Sequence, residues 1–168
     1  MLPIVLNPRS VRVGIVGSGD GLKRRSELLA EAGINPVVVA LESSDAVLHC
    51  LSVLFVAGLD RDVSENLARR ARAGGVLVNV EDVPEFCDFH VPAIVRRGEL
   101  VLTASTGGSA PGLARRLREW LEERFGQEWG ERLRRLGTAR LNWRTVGATP
   151  HEVSRLTRDM VDREGWLQ

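Results

Sequence analysis

The sequence predicts an α/β fold built on a parallel sheet, and three observations predict it. Short apolar runs rich in β-branched residues recur along the first half of the chain. Amphipathic segments of helical length separate them, and a glycine-rich turn follows the first run. Continuous apolar strands alternating with helices indicate a sheet buried on both faces, its strands kept parallel by helical crossovers.

The elements follow in order. Val11–Val16 (VRVGIV) predicts a buried strand, Gly17–Gly21 a turn, and Leu22–Ala32 a helix that stops at Gly33. Pro36–Leu41 (PVVVAL) predicts a second strand and Ser43–Cys50 a short helix. Leu51–Ala57 (LSVLFVA) predicts a third strand, Asp62–Ala73 a helix ending at Gly74-Gly75, and Val76–Val80 a fourth strand. The connection from Val39 to Val53 is close to the minimum of about a dozen residues for a parallel crossover. After Pro84 the character changes. Ala93–Val95 and Glu99–Ala104 predict strands around Arg96-Arg97-Gly98. Pro111 suits the first position of a helix carrying Leu113, Leu117, Trp120 and Leu121 at helical spacing. Two further helices are expected near Glu128–Leu136 and His151–Arg163, with Trp120, Trp129, Trp143 and Trp166 packing this part of the chain.

The chain has 168 residues, 43% hydrophobic and 27% charged, which fits a folded globular protein. A net charge of +1 gives no strong field for nucleic acid or anionic lipid. Two cysteines, Cys50 and Cys87, make no disulfide framework. The opening MLPIVLNPRS does not read as a signal peptide, and no run approaches the roughly 20 apolar residues that span a bilayer. A cytoplasmic location is the expectation. Cys87 and His90 have CxxH spacing, but without a second pair they predict no metal site.

The chemistry signal lies in Gly17-Ser18-Gly19-Asp20-Gly21, between strand and helix. A dinucleotide pyrophosphate needs a tight turn, a backbone without Cβ at closest approach, and a helix N-terminus aimed at it. Gly17 and Gly19 provide the first two, and the following helix the third. A plain structural turn is the alternative, since the third small residue of GxGxxG falls on Leu22 and a glycine sits one place early, at Gly21. Leu41 and Glu42 end the second strand. An acid there would hold ribose hydroxyls and repel a 2′-phosphate, favouring NAD over NADP. Alternatively, Glu42 only opens a helix capped by Ser43 or Ser44.

The stretch Asn79-Val80-Glu81-Asp82-Val83-Pro84-Glu85-Phe86-Cys87-Asp88-Phe89 resembles the precorrin-2 dehydrogenase/sirohydrochlorin ferrochelatase family, which makes siroheme. The likeness continues through Val91–Leu100 and Ser105–Glu119, and includes Leu2-Pro3-Ile4 and the GSGD turn. The resemblance implies a homodimer with a Rossmann-like NAD-binding domain over 1–90, a strand-containing dimerisation segment over 91–123, and a small helical domain over 124–168. It implies oxidation of precorrin-2 to sirohydrochlorin with NAD, and Fe²⁺ insertion in some members. It places catalysis at Asp82 and cofactor contacts at Asp20, Gly21, Leu41 and Glu42. A serine phosphorylated in some members falls on Thr106. Three departures stand out: Leu22 in place of a small residue, a segment from Glu42 to Leu51 short by a strand–helix unit, and Gly58-Leu59-Asp60 at the third strand's end.

In an open parallel sheet ligands sit beyond the strands' carboxyl ends, so Gly17–Gly21, Leu41-Glu42, Gly58–Asp60 and Glu81-Asp82 should share one rim. Asp82 would take a proton as hydride leaves substrate carbon, or else simply form the turn before Val83-Pro84. Arg96, Arg97, Arg115 and Arg116 could pair with substrate carboxylates, or lie on a solvated face. Two other functions remain open: a non-enzymatic tetrapyrrole- or nucleotide-binding dimer, acting as carrier or sensor with a degenerate NAD site, and a chelatase alone.

Overall fold

Strand β1 (Val13–Gly17) runs inside a four-stranded sheet, and its sequence VGIVG needs no polar face because both sides are covered. The computed structural model describes residues 2–167, and the chain divides into two compact units, Met1–Val91 and Pro92–Gln168.

In the first unit β1 is followed by α1 (Gly19–Glu31), β2 (Val37–Val38), α2 (Asp45–Leu48), β3 (Val53–Ala57), α3 (Arg61–Ala73) and β4 (Leu77–Val80). The sheet order is β2-β1-β3-β4, every pair parallel, so the expected fold class holds. Alternation along the strands divides the core. Val13, Ile15, Val53 and Phe55 bury one face with Leu29 of α1. Val16, Leu54, Val56, Val78 and Val80 bury the other with Leu48 of α2 and Leu67, Ala68 and Ala71 of α3.

Two expectations are corrected here. The second strand is not Pro36–Leu41 but Val37–Val38, with Val39 adding one further bond to Ile15 O at 2.8 Å. It is an edge strand with β1 on one side only, and Val38 is 78% exposed. Helix α1 begins at Gly19 rather than Leu22. First-turn N–H groups have no intrahelical partner, so the usual preference against glycine within a helix does not bar glycines from starting it.

The segment after β4 folds back on that strand. Asp88 accepts from Val78 N at 2.8 Å, and its own amide donates to Val78 O at 2.8 Å. The Cys87 thiol donates to Val80 O at 3.1 Å, and Asn79 Nδ2 donates to Phe89 O at 2.9 Å. Phe89 meets Phe55 edge-on, with centroids 5.5 Å apart. Much of the motif from Asn79 to Phe89 therefore closes the edge of the sheet.

The second unit opens with an antiparallel hairpin, β5 (Ala93–Arg97) and β6 (Leu100–Ala104). Three helices follow: α4 (Pro111–Arg124), α5 (Glu128–Thr145) and α6 (Pro150–Arg163). α5 passes through Gly137, beyond the expected end at Leu136. One glycine costs a helix only about 1 kcal/mol. The helix closes instead where Gly147 N donates to Arg144 O and Ala148 N to Trp143 O. Trp129 packs on Phe125 and Trp166, at 5.0 and 6.3 Å between centroids. Trp120 does not join them and is 55% exposed on α4.

Candidate functional site

The turn after β1 and the turn after β3 are pressed together backbone to backbone. Ser18 N donates to Ala57 O at 3.1 Å, and the Ser18 hydroxyl donates to Gly58 O at 2.7 Å. A Cβ on Gly17 would overlap Ala57 O, and one on Gly58 would overlap Ser18 O. These two glycines are needed for the fit between turns. Gly19 is different: its φ is +60°, and a Cβ there would meet nothing within 4 Å. Its bare face looks into open space at the start of α1.

Ser18 occupies the N-cap of α1, but its side chain caps no amide of the first turn. The first-turn N–H groups thus lack a side-chain cap, beside open space, at the positive end of a helix dipole. An anion is favoured at such a helix start, and the open side of Gly19 leaves it an approach. Asp20 is exposed on the same turn. Gly21 is buried and faces the sheet, with its Cβ position 3.0 Å from Gly58 N and 3.4 Å from Ala57 Cβ. It lets the helix approach β3, the packing task of the third glycine in GxGxxG. Leu22 is turned to the core beside Val13 and Ile15.

The strand register brings the rest of the rim level. Gly17 pairs with Ala57, Val56 with Val80, and Glu81 N donates to Val56 O at 2.9 Å. Asp82 follows at once. It is exposed, and at φ 59° it is the one non-glycine residue among those described with positive φ. Aspartate tolerates that region better than most residues, and such conformations concentrate at functional sites. Leu41 and Glu42 lie in an exposed turn after β2, on the side of the sheet where β1 ends in Gly17.

The other candidates are engaged in contacts of their own. Leu59 packs against the α3 side of the core. Asp60 is the N-cap residue of α3. Arg97 donates to the carbonyls of Phe125 and Glu122, at 2.7 and 3.2 Å, and so finishes α4. Arg115 and Arg116 pair with Glu119 on their own helix. His90 is exposed, while the Cys87 thiol is engaged by the β4 backbone. Sequence reasoning placed Glu81 on the rim beside Asp82 but gave its side chain no role. Its side chain is 13% exposed and reaches Arg24 and Arg25 of α1 at 3.4 and 3.8 Å. It carries no local pattern that could have revealed this.

A parallel sheet with a glycine turn, an uncapped helix start and an acid beyond a neighbouring strand defines a dinucleotide-type α/β protein. The family model described as "Putative NAD(P)-binding" matches residues 4–93, and the chain belongs to that family. The siroheme synthase of Nitrosococcus oceani is 34% identical over 149 residues, covering 77% of this chain and 32% of the relative. That of Methylococcus capsulatus is 36% identical over 150 residues, covering 74% and 31%. The chain thus spans about a third of the length of these curated relatives. A solved structure titled SirC, precorrin-2 dehydrogenase, matches with a TM-score of 0.74 at 21% identity, covering 100% of this chain and 93% of that one, and so shares the fold. The resemblance to the siroheme-synthesis family is borne out by these relatives.

Proposed function

We propose that this chain oxidises precorrin-2 to sirohydrochlorin with NAD as hydride acceptor. The observation that carries the reading is one rim on which an uncapped helix start, open above Gly19, stands level with the turn holding Asp82 at positive φ. Relatives named siroheme synthase and a fold neighbour named precorrin-2 dehydrogenase support it.

Each residue then has a task. The turn Gly17-Ser18-Gly19 and the amides of Asp20 and Gly21 hold the pyrophosphate, and the absence of a Cβ at Gly19 allows close approach. Glu42 accepts from the ribose hydroxyls and repels a 2′-phosphate, and Leu41 borders the adenosine. When bound, NAD supplies the acceptor for the substrate's hydride. The Asp82 carboxylate takes the proton released as the ring system gains its double bond. Its exposure lets a bulky substrate reach it.

The same reading makes the chain a cytoplasmic homodimer, with 91–123 as dimerisation segment, 124–168 as a helical part, and Fe²⁺ as a second substrate. The exposure of Leu113, Leu117 and Trp120, one turn apart along α4, supports a subunit contact there. A second reading, a tetrapyrrole-binding dimer without a working NAD site, draws on one observation. The sheet ends at a two-residue β2, without the further strand of a full dinucleotide fold.

The test is NAD-dependent conversion of precorrin-2, followed by absorbance, with wild type and Asp82→Ala. Turnover that falls by about 10²-fold or more in the variant is expected for loss of a general base. A folded wild type that binds the tetrapyrrole yet ignores NAD would overturn the dehydrogenase reading in favour of the second.

A further inference from the structure

Glu81 has no part in the reaction as described, yet it stands next to Asp82 and its side chain is only 13% exposed. Its amide donates to Val56 O at 2.9 Å, which carries the β3–β4 ladder one residue past the strand. Its carboxylate crosses to α1. There it meets Arg24 Nη2 at 3.4 Å and Arg25 Nε at 3.8 Å, and it lies so close to Gly21 that a Cβ on that residue would overlap Oε2. The Arg25 guanidinium also lies 5.9 Å from the Phe55 ring centroid, and among the described residues its buried Nε has no hydrogen-bond partner nearer than the Glu81 carboxylate.

A carboxylate beside the first turn of α1 does not help an anion bind there, because like charges repel at the same positive helix end. Its contribution must be sought elsewhere on the rim. The next residue, Asp82, holds a φ of 59°, a conformation that persists when its surroundings fix it. The side chain of Glu81 supplies such a fixture, linking the turn after β4 to the helix whose start receives the cofactor.

We propose that Glu81 is a positioning residue, whose carboxylate, held by Arg24 and Arg25, locks the Asp82 turn against the cofactor end of α1. This rests on the dehydrogenase reading for its effect on turnover, but the lock itself does not need turnover to be observed.

The experiment compares wild type with Glu81→Gln, which keeps the shape and removes the charge, and with Glu81→Ala. Melting temperature and far-UV circular dichroism establish folding, and Glu81→Gln carries the test if the alanine variant does not fold. NAD affinity is measured by calorimetry, turnover with precorrin-2, and backbone opening by hydrogen exchange over residues 82–87. In Glu81→Gln, kcat is expected to fall about tenfold to a hundredfold as the base moves out of line. NAD should bind equally well, or tighter by about two- to fivefold, because a repelling charge has gone. Exchange over 82–87 should quicken. Wild-type kcat in Glu81→Gln would overturn the proposal, as would a parallel loss of kcat and NAD affinity. If the wild type binds NAD but turns nothing over, the dehydrogenase reading fails by itself. Exchange over 82–87 then decides this one: faster in Glu81→Gln supports the lock, and unchanged overturns it.

Discussion

Alanine at Gly17 and alanine at Gly19, two residues apart in one turn, should fail in opposite ways. At Gly17 the new Cβ would overlap Ala57 O and stand 2.8 Å from the Ala57 carbonyl carbon. β1 and β3 would have to part where Ser18 N donates to Ala57 O at 3.1 Å. Overpacking costs about 1–3 kcal/mol and the lost hydrogen bond about 1 kcal/mol, so the loss is about 2–4 kcal/mol. At Gly19 a Cβ meets nothing within 4 Å, and the penalty is that of φ +60° alone. That is about 1–2 kcal/mol, or roughly 2–8 °C of melting temperature for a chain of this size. The methyl would nevertheless stand where the proposed pyrophosphate site lies, so NAD affinity should drop at least tenfold, about 1.4 kcal/mol. Thermal melting and calorimetry with NAD on both variants read the two effects separately. A Gly19→Ala protein with wild-type NAD affinity would refute the placement of the pyrophosphate. Unchanged melting in Gly17→Ala would refute the packing argument.

Three further outcomes are expected. Asp82→Gly should lower turnover by about 10²-fold or more while raising stability by about 0–1 kcal/mol in urea unfolding, because glycine holds φ 59° without steric cost. Leu48→Ala should cost about 2–5 kcal/mol by the same method, since Leu48 is 0% exposed and fastens the short α2 to the core. Glu152 is held below the ordinary glutamate range, first by the Thr149 amide and then by the Thr149 hydroxyl. A lowered carboxyl stabilises the fold above its unfolded-state value and loses that effect as pH falls through the lowered one. Helicity of α6 should therefore decline below the ordinary glutamate range in wild type. In Glu152→Gln that acid dependence should vanish from the far-UV signal.

What the sequence made legible was whatever local pattern dictates. β3 and β4 read to within two residues at their starts and correctly at their ends, because a run such as VLFVA, buried on both faces, has no other place to go. α3 read to within a residue because apolar positions and a double glycine bracket it. β2 did not, because a strand's length depends on its neighbours, and Val37–Val38 has one neighbour where a full dinucleotide sheet has two. α5 did not, because tertiary and helical contacts outweigh the modest preference against Gly137. Of the rim, the glycines and Asp82 were visible as motif residues, while Glu81 meets Arg24 and Arg25 only once the sheet has formed.

The departure at Leu22 shows how a broken motif can keep its geometry. In GxGxxG the third glycine brings helix and strand together. Here that close approach falls on Gly21, buried against Ala57 and Gly58, while Leu22 adds to the core beside Val13 and Ile15. One residue along a helix is about a quarter of a turn, so the small residue and the large one have exchanged faces. The same exchange makes room for the Glu81 carboxylate, because any side chain at position 21 would overlap it. The irregular turn and the inward-reaching Glu81 carboxylate are thus one arrangement. A double substitution tests this: Gly21→Ala should be less harmful in Glu81→Ala than in wild type, as seen in urea unfolding. Strictly additive losses would mean that the two positions do not compete for the same space.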